Sequence, residues 1–279
     1  MSISISALIK QSPLARREAE MIIERVLGVS RATVIAYPER MLDAAQEQQA
    51  LKLIERRASG EPMAYILGSR EFYGLDFIVT PAVLIPRPET ELLVEQALVR
   101  LSSQPAPQGA RMLDLGTGSG AIAISVVRHF PAANVSATDI SGGALAVAQQ
   151  NASALGVPIR FIESDWFAAL GGETFDLIVS NPPYVAAGDK HLAEGDLRFE
   201  PISALTDGAP GENGLACIRR IIAEAPQHLN KGGSLLFEHG YDQAAACAEL
   251  LAARGFRDLC SFNDLAGIAR VAGGRWNAG

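Results

Sequence analysis

From Arg111 onward the chain alternates two kinds of pattern. "RMLDL" (111–115), "NVSATDI" (134–140), "PIRFIES" (158–164), "FDLIVS" (175–180) and "GSLLFEHG" (233–240) are short apolar runs. Helical patterns such as "SGGALAVAQQNASALG" (141–156) and "GLACIRRIIAEAPQHL" (214–229) separate them. Continuous apolar runs mark strands buried on both faces, and interleaved helices supply the covering layers, so the alternation predicts an α/β fold with a mostly parallel sheet. In such folds ligands bind beyond the carboxyl ends of the strands. The loops after each run are therefore where function is to be sought.

The preceding segment reads differently. "SPLARREAEMIIERVLG" (12–28) predicts a helix with Ser12 as N-cap, Pro13 at the first helical position, an apolar stripe of Ala15, Ala19, Ile22, Ile23 and Val26, and Gly28 as terminator. "DAAQEQQALKLIERRASG" (43–60) repeats the scheme with Asp43 as cap. Such a small all-helical domain is either a structural cap or a surface for a macromolecular partner. In "REFYGLDFIVTPAVLIPRPETELLVEQAL" (70–98), Tyr73-Gly74-Leu75-Asp76 predicts a β-hairpin, and Pro81, Pro86 and Pro88 lead into a helix. "SSQPAPQGA" (102–110) reads as a surface linker. The expected organisation is helices over 1–68, a hairpin linker over 69–86 and the α/β domain over 87–279.

Composition narrows the function class. The net charge of −7 disfavours a protein whose affinity comes from neutralising phosphates, and residues 1–68 are nearly neutral, with nine basic against eight acidic side chains. No direct nucleic-acid partner is expected. No run of about 18 apolar residues and no signal-peptide pattern are present, so no membrane association is expected. Cys217, Cys247 and Cys260 show no C-x-x-C spacing, which suits reduced thiols in a cytoplasmic protein and offers no metal site.

The loop after the first run, "DLGTGSGAIAI", carries Gly116, Thr117, Gly118, Ser119 and Gly120. Glycines there permit a tight turn and close backbone approach, and the following helix offers unpaired N–H groups. Taken alone the loop also satisfies a dinucleotide fingerprint. Asp139, at the end of the second run, is placed for a ribose diol, as either nucleotide cofactor requires. Two residues tilt the reading toward S-adenosylmethionine. Asp114, two residues before Gly116, suits a ligand bearing an ammonium and a sulfonium. After the third run, Asp165 is expected to accept from an adenine amino group while Trp166 covers the ring face.

After "FDLIVS" comes "NPPY", Asn181 to Tyr184. Asn181 offers a side-chain carbonyl, and Pro182, without an N–H, fixes the chain so that a main-chain carbonyl points into the site. Two such acceptors grip a planar NH₂ group. The nitrogen of an amide or aminopurine is a poor nucleophile because its lone pair is delocalised; accepting both hydrogens orients it and favours a pyramidal, partly positive transition state. Pro183 and Tyr184 complete the expected substrate wall, Tyr184 by stacking on the flat group. A dinucleotide-dependent oxidoreductase or a non-catalytic module leaves this tetrapeptide unexplained. An N6-adenine methyltransferase shares the chemistry but would be expected to carry a basic recognition domain.

The tetrapeptide resembles that of amino methyltransferases acting on adenine N6 or glutamine amides. "EFYGLDFIVTPAVLIPRPETELLVE", "DLGTGSGAIAI", "SNPPYV", "EPISAL" (200–205), "GGSLLFEHG" and "DLAGIARV" (264–271) occur in an order similar to that of the peptide chain release factor N5-glutamine methyltransferases. That resemblance implies a Rossmann-like class I methyltransferase domain behind the helices. It also implies transfer of a methyl group from S-adenosylmethionine to the glutamine side-chain nitrogen in the Gly-Gly-Gln motif of class 1 release factors, with the helical domain engaging the factor. By the same resemblance the cofactor falls to Gly116 to Gly120, Asp139, Trp166 and Asn181, and the glutamine to Asn181 to Tyr184.

Overall fold

The computed structural model describes residues 3–104 and 108–277; positions 105–107 of the expected linker lie outside the described residues. Five helices open the chain: α1 (Ile5–Gln11), α2 (Arg16–Leu27), α3 (Arg31–Ala36), α4 (Ala44–Ala58) and α5 (Met63–Leu67). Their shared core is aliphatic, with Ile5, Leu8, Ile22, Ile23, Ala50 and Ile54 all buried. Asp43 caps α4 through a full capping box with Gln46, and Gly28 ends α2 in the left-handed region.

Ser12 does not cap α2. Its amide closes α1 by donating to the Leu8 carbonyl, and its Oγ accepts from the Leu14 amide, a local turn that uses up the capping oxygen. The helix then starts at Arg16, behind an uncapped Ala15.

A two-stranded hairpin follows, β1 (Ser69–Phe72) paired antiparallel with β2 (Leu75–Ile78). Its turn residues Tyr73 and Gly74 both have positive φ, as a two-residue hairpin turn that follows the strand twist requires. Asn151 ties the hairpin to the next domain: its Oδ1 accepts from the Ile78 amide, and its Nδ2 donates to the carbonyls of Ile78 and Ser119. Pro88 to Thr90 form one 3₁₀ turn leading into α6 (Glu91–Ser102).

The remaining elements are β3 (Arg111–Leu115), α7 (Ala121–His129), β4 (Asn134–Asp139), α8 (Gly142–Leu155), β5 (Arg160–Glu163), β6 (Phe175–Ser180), α9 (Ile202–Leu205), α10 (Ala216–Glu224), β7 (Leu229–Glu238), α11 (Ala244–Arg254), β8 (Arg257–Asn263) and β9 (Ala269–Arg275). The seven strands β3 to β9 form one sheet in the order β5-β4-β3-β6-β7-β9-β8. The first five strands of that order run parallel, and β9 and β8 complete the sheet antiparallel.

Alternate strand residues serve opposite layers. Met112, Leu177 and Leu236 pack with α6 and α7, whereas Leu113, Ile178 and Leu235 pack with α10 and α11. Both faces are covered, which is why these runs are largely apolar. The chain leaves β3 toward β4 and β5 on one side, then returns to place β6 on the other. The loops after β3 and β6 therefore meet at the topological switch point, where the sheet opens a crevice.

Two polar contacts join the helical segment to the loop before α9. Arg57 Nη1 lies 3.3 Å from Asp196, and Arg198 Nη2 donates to the Ser59 carbonyl at 2.7 Å. Among the described residues no helix is long and apolar enough to cross a membrane.

Candidate active site

A cavity of about 340 Å³ opens at the switch point. Its wall is formed by Gly116, Gly118, Asp139, Ile140 and Trp166, by Val83, Arg87, Pro201 and Thr206, and by Thr90, Asn181 and Pro183.

The glycine loop is shaped by backbone conformation. Gly116, Gly118 and Gly120 have φ of 70°, 56° and 82°, a region that L side chains rarely adopt. A Cβ on Gly120 would come within 2.9 Å of Ile124 Cδ1 and 3.2 Å of Ala148 Cβ, so the glycine also lets α7 approach α8 closely. On Gly118 it would meet nothing within 4 Å, so that glycine faces open space. Behind it, the Asp139 carboxylate accepts from the Gly118 amide through Oδ2 and from the Ser141 amide through Oδ1, both at 2.9 Å. Burial pushes its pKa up, and the backbone donors oppose that shift. Asp139 lines the cavity, and a carboxylate there is the acceptor that a vicinal diol needs. These residues fit a nucleoside-type cofactor.

Trp166 lines the cavity with its ring against Gly116, where an added Cβ would sit 3.6 Å from ring carbon Cζ3. Its φ of 51° is unusual for a bulky residue, and Ser164 Oγ steadies the turn by donating to the Trp166 carbonyl.

Of two acidic residues, one departs from expectation and one has an additional partner. Asp114 is fully buried beneath the loop and lies off the cavity wall. Its Oδ2 accepts from Thr117 Oγ1 at 2.7 Å, and its Oδ1 has no hydrogen-bond partner. Desolvation raises its pKa to about 7. It sits on the strand face that packs on α7, so its charge cannot reach a ligand's ammonium directly. Asp165 lines the cavity, and both its oxygens also receive Arg220 Nη1 at 2.9 Å, an exposed ion pair that no local pattern announces.

The Asn-Pro-Pro-Tyr loop is organised by side chains. Asn181 Nδ2 donates to Thr90 Oγ1 at 3.0 Å, Thr90 Oγ1 donates to Glu238 Oε2 at 2.6 Å, and Tyr184 Oη donates to Glu238 Oε1 at 2.9 Å. Among the described residues no protein donor reaches Asn181 Oδ1 or the Pro182 carbonyl. Asn181 is on the cavity wall; Pro182 is buried behind it, and Pro183 lines it. Tyr184 lies off that wall, its hydroxyl held by Glu238 and its backbone carbonyl by Gln243 Nε2 at 3.0 Å. Burial beside the Glu238 charge drives the phenol's pKa upward, so it remains a donor. The expected stacking of Tyr184 on a flat substrate is replaced by an anchoring contact with Glu238. The loop is pressed in place from behind, since a Cβ on Gly214 would fall 2.0 Å from the Tyr184 carbonyl oxygen.

Thr90, Glu238 and Glu200 did not stand out as site residues in the sequence. Glu200 pairs with Arg87 and accepts from the Ile85 amide, fastening the proline-rich segment to the loop before α9. The available signal was a charged residue closing an apolar run, as Glu238 closes β7, which is costly unless the group is hydrogen-bonded.

A parallel sheet with a glycine cradle after its first strand and an Asn-Pro-Pro-Tyr loop on the adjacent strand defines a methyltransferase of the class I architecture. The chain belongs to the release factor glutamine methyltransferase family. The Bordetella pertussis member is 52% identical over 268 residues, covering 96% of this chain and 97% of its own. The Escherichia coli member is 43% identical over 269 residues, covering 96% and 95%. The Methyltransferase small domain model matches residues 89–196, and the PrmC N-terminal domain model matches residues 4–68. Among solved structures, a methyltransferase from Pyrococcus furiosus, 20% identical, aligns with a TM-score of 0.56 over 83% of this chain and 99% of its own, which establishes the shared fold.

Proposed function

We propose that this enzyme methylates the side-chain amide nitrogen of the glutamine in the Gly-Gly-Gln motif of class 1 peptide chain release factors, with S-adenosylmethionine as donor, in the cytoplasm. The observation that carries the reading is Asn181: among the described residues its Oδ1 is without a protein donor, and it is on the wall of the same cavity that holds the glycine cradle and the Asp139 carboxylate. The relatives' shared name supplies the substrate.

Gly116, Gly118 and Asp139 would hold the cofactor, with Trp166 against its flat portion; once bound, the cofactor supplies an electrophilic methyl group. Asn181 Oδ1 accepts one amide hydrogen of the substrate glutamine, and the Pro182 carbonyl, which has no protein donor among the described residues, is the acceptor proposed for the other. These two bonds hold the nitrogen toward the glycine loop and stabilise the positive charge that develops on it. No strong base is needed at that stage, because the amide nitrogen becomes acidic only after it is alkylated. The helical segment, tied to the rim through Arg57 and Arg198, is suited to hold the factor away from the reacting residue.

Incubation with isotopically labelled S-adenosylmethionine and a purified class 1 release factor, followed by peptide mapping, tests the reading. Label on the glutamine of Gly-Gly-Gln is the expected result. Label elsewhere, or on nucleic acid alone, overturns it.

A further inference from the structure

An asparagine amide is nearly symmetric in shape, and a flip about χ2 would present NH₂ to a substrate NH₂, donor against donor. Something must therefore fix which end of Asn181 faces the cavity. Thr90 carries one hydroxyl hydrogen, and Glu238, although burial raises its pKa, takes a hydroxyl donor at each oxygen and lies near the Arg270 charge, which favour the carboxylate form that has no hydrogen to give. The Thr90 hydrogen goes to Glu238 Oε2 at 2.6 Å, and the Tyr184 hydroxyl hydrogen goes to Oε1 at 2.9 Å. Thr90 Oγ1 is then left with lone pairs only toward Asn181, 3.0 Å away, and receives Nδ2. All of this takes place out of water: Thr90 is 4% exposed and Glu238 1%.

We infer that Thr90 and Glu238 are positioning residues that set the polarity of the Asn181 amide, so that Oδ1 and not Nδ2 faces the substrate nitrogen. The inference rests on the acceptor role given to Asn181 under the proposed function. Direction passes along the chain of bonds: the carboxylate dictates where the hydroxyl hydrogen points, and the hydroxyl dictates which end of the amide it meets. Tyr184 holds the second carboxylate oxygen, so Glu238 cannot rotate away and release Thr90. Three segments distant in sequence, the turn before α6, the loop after β6 and the end of β7, thereby cooperate in one orientation.

The test is single-turnover methylation of a full-length class 1 release factor at saturating labelled S-adenosylmethionine, with cofactor affinity measured by calorimetry and folding by thermal melting. Thr90→Val keeps the shape and removes the acceptor; it should lower the rate about 10- to 100-fold, as loss of an orienting bond does, while cofactor affinity stays within about twofold. Thr90→Ser restores the hydroxyl and should return the rate to within about threefold of wild type. In an Asn181→Ala background, Thr90→Val should cost no more than about twofold further, because its effect runs through the missing amide. Glu238→Gln is the independent arm should Thr90→Val fold poorly: its NH₂ can donate to Thr90, freeing the hydroxyl hydrogen for the flipped amide, and the rate should fall about 10-fold or more. A wild-type rate for folded Thr90→Val or Glu238→Gln, or a full additional loss in the double variant, overturns the inference. If Asn181→Ala is at the same time inactive, the proposed function stands; if Asn181→Ala is fully active, the acceptor role itself falls.

Discussion

The loops after β3 and β6 face one cavity from adjacent strands, yet they are built by opposite means. The first is shaped by glycine φ values that leave its main chain open to close approach, with a single carboxylate, Asp139, behind it. The second is rigid because of prolines and a polar relay from Asn181 to Glu238. A backbone cradle spreads its contacts over several main-chain units, so each loss is partial. A side-chain relay puts orientation on one terminal group, so its loss is felt in the rate itself.

The largest effect should come from the relay. Asn181→Ala is expected to lower single-turnover methylation about 10²- to 10³-fold, or about 2 to 4 kcal/mol, without altering cofactor affinity to the same degree. Asn181→Asp sharpens the contrast, because it keeps an acceptor of nearly the same shape. If acceptance is what matters, Asp retains more activity than Ala. A near-wild-type Asn181→Ala would break the comparison.

The cradle should respond in binding. Asp139→Ala is expected to weaken the cofactor by about 1 to 3 kcal/mol in calorimetry, since it leaves two hydroxyls and two backbone amides without their acceptor. An effect confined to the chemical step would show that the two loops do not divide the work in this way. Gly120→Ala comes next, at about 1 to 2 kcal/mol of stability, because a left-handed φ is combined with a close approach to Ile124 and Ala148. Thermal or denaturant unfolding measures it.

The smallest effect on catalysis belongs to Asp114, and it should appear in stability. Its folded-state pKa of about 7 lies above the ordinary 3.8, so the folded protein binds more protons between those values. This group's contribution is then most favourable below about pH 4 and is lost as pH rises toward 7. Asp114→Asn cannot charge. Its stability relative to wild type should grow over that interval and level off above it, which denaturant titrations at several pH values would show. A parallel pair of curves would mean that Asp114 is not desolvated as described.

How much of this was legible in the sequence follows from which forces leave a local mark. The β3, β4, β6 and β7 runs were readable because burial on both faces makes them largely apolar, and the edge strand β5 because Phe161 and Ile162 stand between exposed Arg160 and Glu163. The β8 and β9 pair was not read as strands: β8 is exposed along most of its length, and β9 contains Gly273-Gly274. Its position comes from pairing with β7, a contact that no local pattern announces. Gly116 to Gly120 and Asn181 could be singled out because their chemistry is carried by residue type. Thr90 and Glu238 could not, since their role exists only once segments 148 residues apart are brought together. Asp114 was misread, and the Arg220 partner of Asp165 missed, for a related reason. Position beside a loop does not reveal whether a carboxylate faces the ligand, the core or an arginine.

The irregular edge strand has a consequence for the protein's behaviour in a crowded solution. A straight outer strand offers unpaired amides and carbonyls to any passing strand and invites fibrous growth. In β8 the register with β9 shifts between Arg257 and Cys260, and Asp258 sits there with a φ of 48°, a local kink carrying the adjacent opposite charges of Arg257 and Asp258. The kink interrupts the row of donors and acceptors that an incoming strand would need, and the charges exact a desolvation cost for stacking against it. The margin of the sheet is thereby a poor template for self-assembly.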